Sequence, residues 1–165
     1  LTAWLSAIGE LDLKPPAFLK VSPLGGIANI EQLLEVADPH RFVRGFMFNL
    51  PLVKPEAHIK SPAALWGGRP GAVSGPPAAP LLDECLGECY RRMDRTRYKL
   101  FASGGVASGT DAYAKIRMGA SLVSLYTALV FEGPLLVRRI TAELRDLLAR
   151  DGIAHVADAV GVDIA

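Results

Sequence analysis

Apolar residues recur along this chain in two alternating rhythms, and the alternation itself predicts the architecture. Leu1, Trp4, Leu5 and Ile8 fall at helical spacing over residues 1–10, and Pro15-Pro16 stops whatever precedes the next element. Residues 17–21 (AFLKV) then read as a short buried strand carrying one lysine. After the Gly25-Gly26 turn, Ile27, Ile30, Leu33 and Leu34 mark one face of a helix over 27–36, and residues 44–50 (RGFMFNL) form a second strand that Pro51 ends. A helix is predicted over 81–93, a third strand over 98–103, a further helix from about 108 to 118 and a fourth strand over 120–125. Pro134 sits in the first turn of a long helix, 135 to about 150, which Gly152 ends, and a short helix follows at 155–160. Strands alternating with helices predict an α/β fold with a parallel sheet and right-handed crossovers.

One interval breaks the rhythm. Between 51 and 80 the prolines at 51, 55, 62, 70, 76, 77 and 80 are too dense for regular structure. A stretch of roughly 30 residues is long for an idle connection, so a lid, a binding loop, a disordered segment or a mobile linker is expected there.

Composition narrows the classes of function. With 165 residues, 50% of them hydrophobic, the chain can build one sizeable core. A complete (β/α)8 barrel is excluded, since such barrels need about 200 residues at the least and four strands are legible here. Lys plus Arg total 18 against 17 Asp plus Glu, which gives no electrostatic case for nucleic acid; a small-molecule site fits better. No apolar run approaches the roughly 18 residues of a membrane span. Cys85 and Cys89 stand four apart on a predicted helix with no second pair, and read as reduced structural thiols. His40, His58 and His155 are scattered without metal-site or nucleophile–base spacing. Neither a G-x-G-x-x-G nor a P-loop is present, so a dinucleotide or ATP site is not supported. The chain opens at Leu1, inside a helical pattern and without Met, and a longer parent protein is expected.

The candidate chemistry concentrates in 99–127, KLFASGGVASGTDAYAKIRMGASLVSLYT. A strand leads into Ser103-Gly104-Gly105, where missing side chains let backbone N–H groups approach an anion. Ser108 and Asp111 form an S-x-x-D capping box for the next helix, and Gly119 closes it. A phosphate is expected between Gly104-Gly105 and the residues after the fourth strand, Tyr126 and Thr127; plain packing of a strand–helix unit is the other reading of such a turn. Lys20 stands one position from a strand end among apolar residues, so its ammonium must find an anion or reach water. Asn49, also at a strand end, carries an amide suited to a planar imide or carboxylate, and equally suited to forming a turn before Pro51. Ser74-Gly75 offers further small residues for close backbone approach.

From Phe18 to about Asp163 the chain resembles the C-terminal half of the dihydroorotate dehydrogenase family, most densely after Leu100. Ala102-Ser103-Gly104-Gly105 is similar to the family's GVGG turn, residues 119–129 (GASLVSLYTAL) to its GASLVQLYTAL, Gly71-Ala72-Val73-Ser74-Gly75 to its GGLSG, and FLKVSP to the strand bearing its flavin-contacting lysine, here Lys20. Phe48-Asn49-Leu50-Pro51 departs from the family's TNTT: Asn49 matches the asparagine only if one residue is skipped, and the threonines are missing. The stretch 126–134 (YTALVFEGP) and the 157–161 ending are most similar to the quinone-using, membrane-associated class.

The resemblance implies the C-terminal half of a (β/α)8 barrel with a proline-rich active-site loop at 51–80. It implies FMN held by Lys20, Ser74, Gly75, Gly104, Gly105, Tyr126 and Thr127, with Asn49 on the substrate. It further implies oxidation of dihydroorotate to orotate in pyrimidine synthesis, electrons passed to quinone, and a peripheral position on the cytoplasmic face of the cell membrane. The catalytic base is expected in a missing N-terminal barrel half. The alternative expectation is a diverged, non-catalytic half-barrel that binds a phosphate ligand or a partner chain.

Overall fold

The computed structural model describes residues 1–11, 14–23, 25–49 and 54–164. Its centre is a four-stranded parallel sheet of β1 (Ala17–Val21), β2 (Val43–Phe48), β3 (Lys99–Ala102) and β4 (Ala120–Val123), hydrogen-bonded in chain order. Each strand feeds a helical crossover, and neighbours in sequence are neighbours in the sheet, as in a barrel rather than a doubly wound fold. Around the sheet lie α1 (Thr2–Gly9), α2 (Ile30–Ala37), α3 (Ala79–Arg92), α4 (Gly109–Arg117), α5 (Thr127–Glu132) and α6 (Leu135–Arg150).

The core sits on one face of the sheet only. Phe46, Leu100 and Ala102 are buried under Leu82, Leu86, Cys85 and Cys89 of α3, and Phe46 packs against Tyr98 with ring centroids 4.9 Å apart. Burial pushes the Cys85 thiol up to about 11 and the Cys89 thiol up to about 12, so both are protonated packing groups. A second apolar cluster joins Leu136 and Ile140 of α6 to Val106 and Ala112. There α4 and α6 approach so closely that a Cβ at Gly109 would strike Glu143.

The opposite face is uncovered. Phe18, Lys20 and Leu122 are all exposed on it, and Phe18 reaches across Gly45 to stack on Phe101 at 4.4 Å. This corrects the expectation of fully buried strands for β1 and β4: burial alternates along β1, where helices cover one side alone, and Ser121 and Leu122 are both exposed in the middle of β4.

Other boundaries also shift. The helix expected from 27 begins as a 3₁₀ turn, Gly26–Asn29, and becomes α-helical at Ile30. The proline-rich interval is not shapeless from 54 onward. It holds 3₁₀ turns at Glu56–His58, Ala63–Leu65 and Pro76–Ala78, and the Lys54 ammonium donates to the carbonyl of Trp66 at 2.9 Å and to that of Arg69. Pro51, expected to end the second strand, and Leu50 lie outside the described residues. The helix α5 follows β4 directly, where no element was expected, and Pro134 is the N-cap of α6 rather than part of its first turn.

Candidate functional site

The C-terminal ends of the four strands, with the segments that leave them, enclose a cavity of about 560 Å³. Lys20, Asn49, Ser74, Gly75, Gly104, Gly105, Tyr126 and Thr127 all line it, so residues spread over more than 100 positions converge on one space. The cause is topological. In a parallel sheet every strand delivers its C-terminus to the same edge, and the connecting loops gather there.

Each wall follows from local chemistry. Gly104 and Gly105 adopt φ of 83° and 73°, in the left-handed region that disfavours a side chain. An added Cβ at Gly104 would lie 2.5 Å from Leu82, and one at Gly105 would lie 2.7 Å from Ala79. The glycines thus bend the chain over the start of α3 and leave a bare backbone on the cavity side. Ser108 caps α4 as its sequence predicts: its Oγ accepts from the Asp111 N–H at 3.1 Å, and Asp111 accepts from the Ala107 N–H at 3.0 Å. Glu143 accepts from the Gly109 N–H at 2.5 Å. Two carboxylates therefore already occupy the α4 N-terminus, which leaves the glycine turn and the chain entering α5 as the candidate places for an anion.

Across the cavity, the Thr127 hydroxyl donates to Ser74 Oγ at 2.9 Å and fastens the end of the proline-rich segment to the start of α5. Gly75, at φ 79°, lies against the Thr127 methyl group, which a Cβ would approach to 3.2 Å. Lys20 and Asn49 close the sheet side. Among the described residues no carboxylate pairs with the Lys20 ammonium and no hydrogen bond takes up the Asn49 carboxamide, so both heads remain available to a ligand.

Met47, Ser103, Ser124, Phe131 and Glu132 also line the cavity and were not singled out as site residues from the sequence. Met47 pairs in register with Lys20 and Phe101, and Ser124 directly follows the end of β4. Strand register is the signal that finds both. Phe131 and Glu132 depend on α5, which the sequence pattern did not disclose. Glu132 is ion-paired with Arg139, whose guanidinium also donates to the Ala107 carbonyl at 3.2 Å, tying α5 and α6 to the glycine turn. His40, His58 and His155 stay apart from the cavity lining, and no cluster of three or more His, Cys, Asp or Glu side chains suited to a metal ion occurs among the described residues.

A parallel α/β layer with a cavity at its strand C-termini, walled by glycine turns and by Lys20, is a barrel-type arrangement with a candidate ligand site. Comparison with known proteins gives the family. The dihydroorotate dehydrogenase family model matches residues 1–148, and the chain belongs to that family. It is 43% identical over 164 residues to a dihydroorotate dehydrogenase (quinone) of Azorhizobium caulinodans, covering 99% of this chain and 45% of that protein. It is 39% identical over 152 residues to the mitochondrial dihydroorotate dehydrogenase (quinone) of Oryza sativa subsp. japonica, covering 92% of this chain and 32% of the relative. The ligand-free crystal structure of the Eimeria tenella dehydrogenase superposes with a TM-score of 0.80 at 31% identity, covering 92% of this chain and 41% of that one. The chain thus spans less than half the length of these relatives, and its sheet is part of a (β/α)8 barrel.

Proposed function

We propose that this chain is the FMN-binding, C-terminal half of a quinone-dependent dihydroorotate dehydrogenase, which oxidises dihydroorotate to orotate in pyrimidine biosynthesis. The convergence of the eight expected site residues on one cavity carries this reading. The cavity suits FMN in size and chemistry: the side-chain-free turn at Gly104-Gly105 and the Tyr126-Thr127 entry to α5 fit a phosphate, and Ser74-Gly75 flanks it. FMN, when bound, supplies the acceptor for a hydride. The protein's part is to orient and to bias charge. The Lys20 ammonium favours negative charge on the ring system beside it, and the Asn49 carboxamide offers a donor and an acceptor to the substrate. The base that takes the substrate proton belongs, in this reading, to the N-terminal half of the barrel.

Quinone as electron acceptor is supported by the surface beside the cavity. Tyr126, Val130, Phe131 and Leu135 are exposed there, Tyr126 to 75% and Phe131 to 83%, and two of them line the cavity itself. An apolar border on a redox cavity suits a lipid-soluble acceptor and a peripheral position on the cytoplasmic face of the membrane. No described helix is long and apolar enough to cross a membrane. The 51–80 segment, which contributes Ser74, Gly75 and Pro76 to the cavity wall, acts as the active-site loop.

A second reading, a non-catalytic half-barrel for a phosphate ligand or partner chain, is favoured by Phe48-Asn49-Leu50-Pro51 in place of the family's threonines. Steady-state kinetics of the complete protein with dihydroorotate and a short-chain quinone separates the two. Turnover that requires both substrates is expected; an FMN-loaded protein that leaves dihydroorotate unoxidised would establish the second reading.

A further inference from the structure

The three junctions at the top of the sheet are not closed alike. Between β1 and β2, the Asn49 N–H donates to the Val21 carbonyl at 2.8 Å, one residue beyond the Val21–Phe48 pair. Between β3 and β4, the Ser124 N–H donates to the Ala102 carbonyl at 2.8 Å, one residue beyond the Ala102–Val123 pair. The same ladder rule between β2 and β3 would have the Ser103 N–H donate to the Phe48 carbonyl. There the Ser103 side chain takes over: its hydroxyl donates to the Phe48 carbonyl at 2.7 Å.

The substitution of a hydroxyl for a main-chain donor has two consequences. It lets the chain leave the ladder at Ser103, directly before the left-handed turn at Gly104 and Gly105. It also anchors the peptide unit joining Phe48 to Asn49 from both of its polar ends. The carbonyl is held by Ser103, and the N–H by Val21. This peptide unit is therefore the held point from which Asn49 joins the cavity lining.

We propose that Ser103 is a positioning residue for Asn49: its hydroxyl holds the Phe48–Asn49 peptide so that the Asn49 carboxamide is presented to the substrate in a single orientation. The inference rests on the proposed function, since it assigns Ser103 to substrate placement rather than to the cofactor. A neutral hydrogen bond of this kind is worth about a five-fold effect on an equilibrium.

The test compares Ser103→Thr and Ser103→Val in the complete FMN-loaded protein, two side chains of equal size of which only threonine keeps the hydroxyl. In Ser103→Val, KM for dihydroorotate is expected to rise about five-fold, with FMN affinity unchanged and amide hydrogen exchange at Asn49 accelerated. Ser103→Thr is expected to keep KM, FMN affinity and Asn49 exchange at the values of the parent. Unchanged KM and unchanged exchange at Asn49 in the valine variant would overturn the proposal. So would a loss of FMN affinity at constant KM, which would make Ser103 part of the cofactor cradle. Hydrogen exchange is read without any cofactor. A protein that binds no FMN but shows the valine-specific exchange at Asn49 would therefore sink the proposed function and leave the Ser103 anchor standing.

Discussion

Gly105 and Lys20 line the same cavity, and the proposed function gives them different tasks that substitutions separate. Gly105→Val places a branched side chain at φ 73°, against Ala79 and Pro76, on the wall assigned to phosphate. Equilibrium dialysis of the complete protein is expected to show FMN affinity falling at least about ten-fold, since both backbone strain and steric bulk oppose the turn. Lys20→Met keeps the side-chain length and removes the charge. FMN is expected to remain bound while its reduction potential drops, because a reduced anionic ring loses its neighbouring cation; an unchanged potential would remove Lys20 from the ring's surroundings. Far from the cavity, Asp151 accepts from Arg150 and from the Tyr113 hydroxyl, and these bonds hold its carboxyl down to about 2. Its folded pKa lies below the unfolded value near 4, so the stability it adds is present above about pH 4 and is lost as pH falls towards 2. Asp151→Asn is expected to flatten that part of the acid-unfolding curve, measured by circular dichroism. At this level the sequence was informative for residues at strand ends and in glycine turns, and it placed Ser103 in the candidate turn. The task of the Ser103 hydroxyl and the place of Met47 escaped, because they depend on which donor meets the Phe48 carbonyl and on register.

Tyr90 of α3 is the post against which two separate turns rest. A Cβ at Gly119, which closes α4, or at Gly161, near the end of the chain, would collide with its ring. The Tyr90 hydroxyl also donates to the Val160 carbonyl at 3.1 Å. Gly161→Ala, at φ 81°, is expected to cost at least about 2 kcal/mol by chemical denaturation, from strain and overpacking together. Between α3 and α4, Lys115 is 2% exposed and pairs with Asp83, whose carboxyl burial pushes up while the ammonium pulls it down. Removing only the acid, in Asp83→Asn, strands a buried ammonium and is expected to cost about 3 kcal/mol, more than Lys115→Met, which leaves a partly exposed carboxylate. A smaller loss in Asp83→Asn than in Lys115→Met would contradict that ordering. The alternation of strands and helices was legible because the sheet needs apolar strands and α2, α3 and α6 need one apolar face. The helix α5 was not, because TALVFE is short and apolar on several sides, so neither helical nor strand periodicity stands out.

Among the described residues the sheet has one covered and one open face, and β1 and β4 are its edge strands. Met47, Phe101 and Leu122 lie in register on the open face, with Phe18 stacked on Phe101, an apolar surface that solvent disfavours, and the chain spans 45% of the Azorhizobium caulinodans relative. The isolated 165-residue chain is expected to bind a hydrophobic dye strongly and to self-associate, and the complete protein to do neither. The cavity at the strand C-termini as the seat of FMN is the central claim. It is tested most directly by the flavin content of the complete protein after purification, read from its visible absorbance and from the mass of the cofactor released on denaturation. One FMN per complete chain, retained on washing and diminished in Gly105→Val, is the predicted result. A colourless protein that takes up no added FMN, or one whose flavin survives Gly105→Val undiminished, would contradict it.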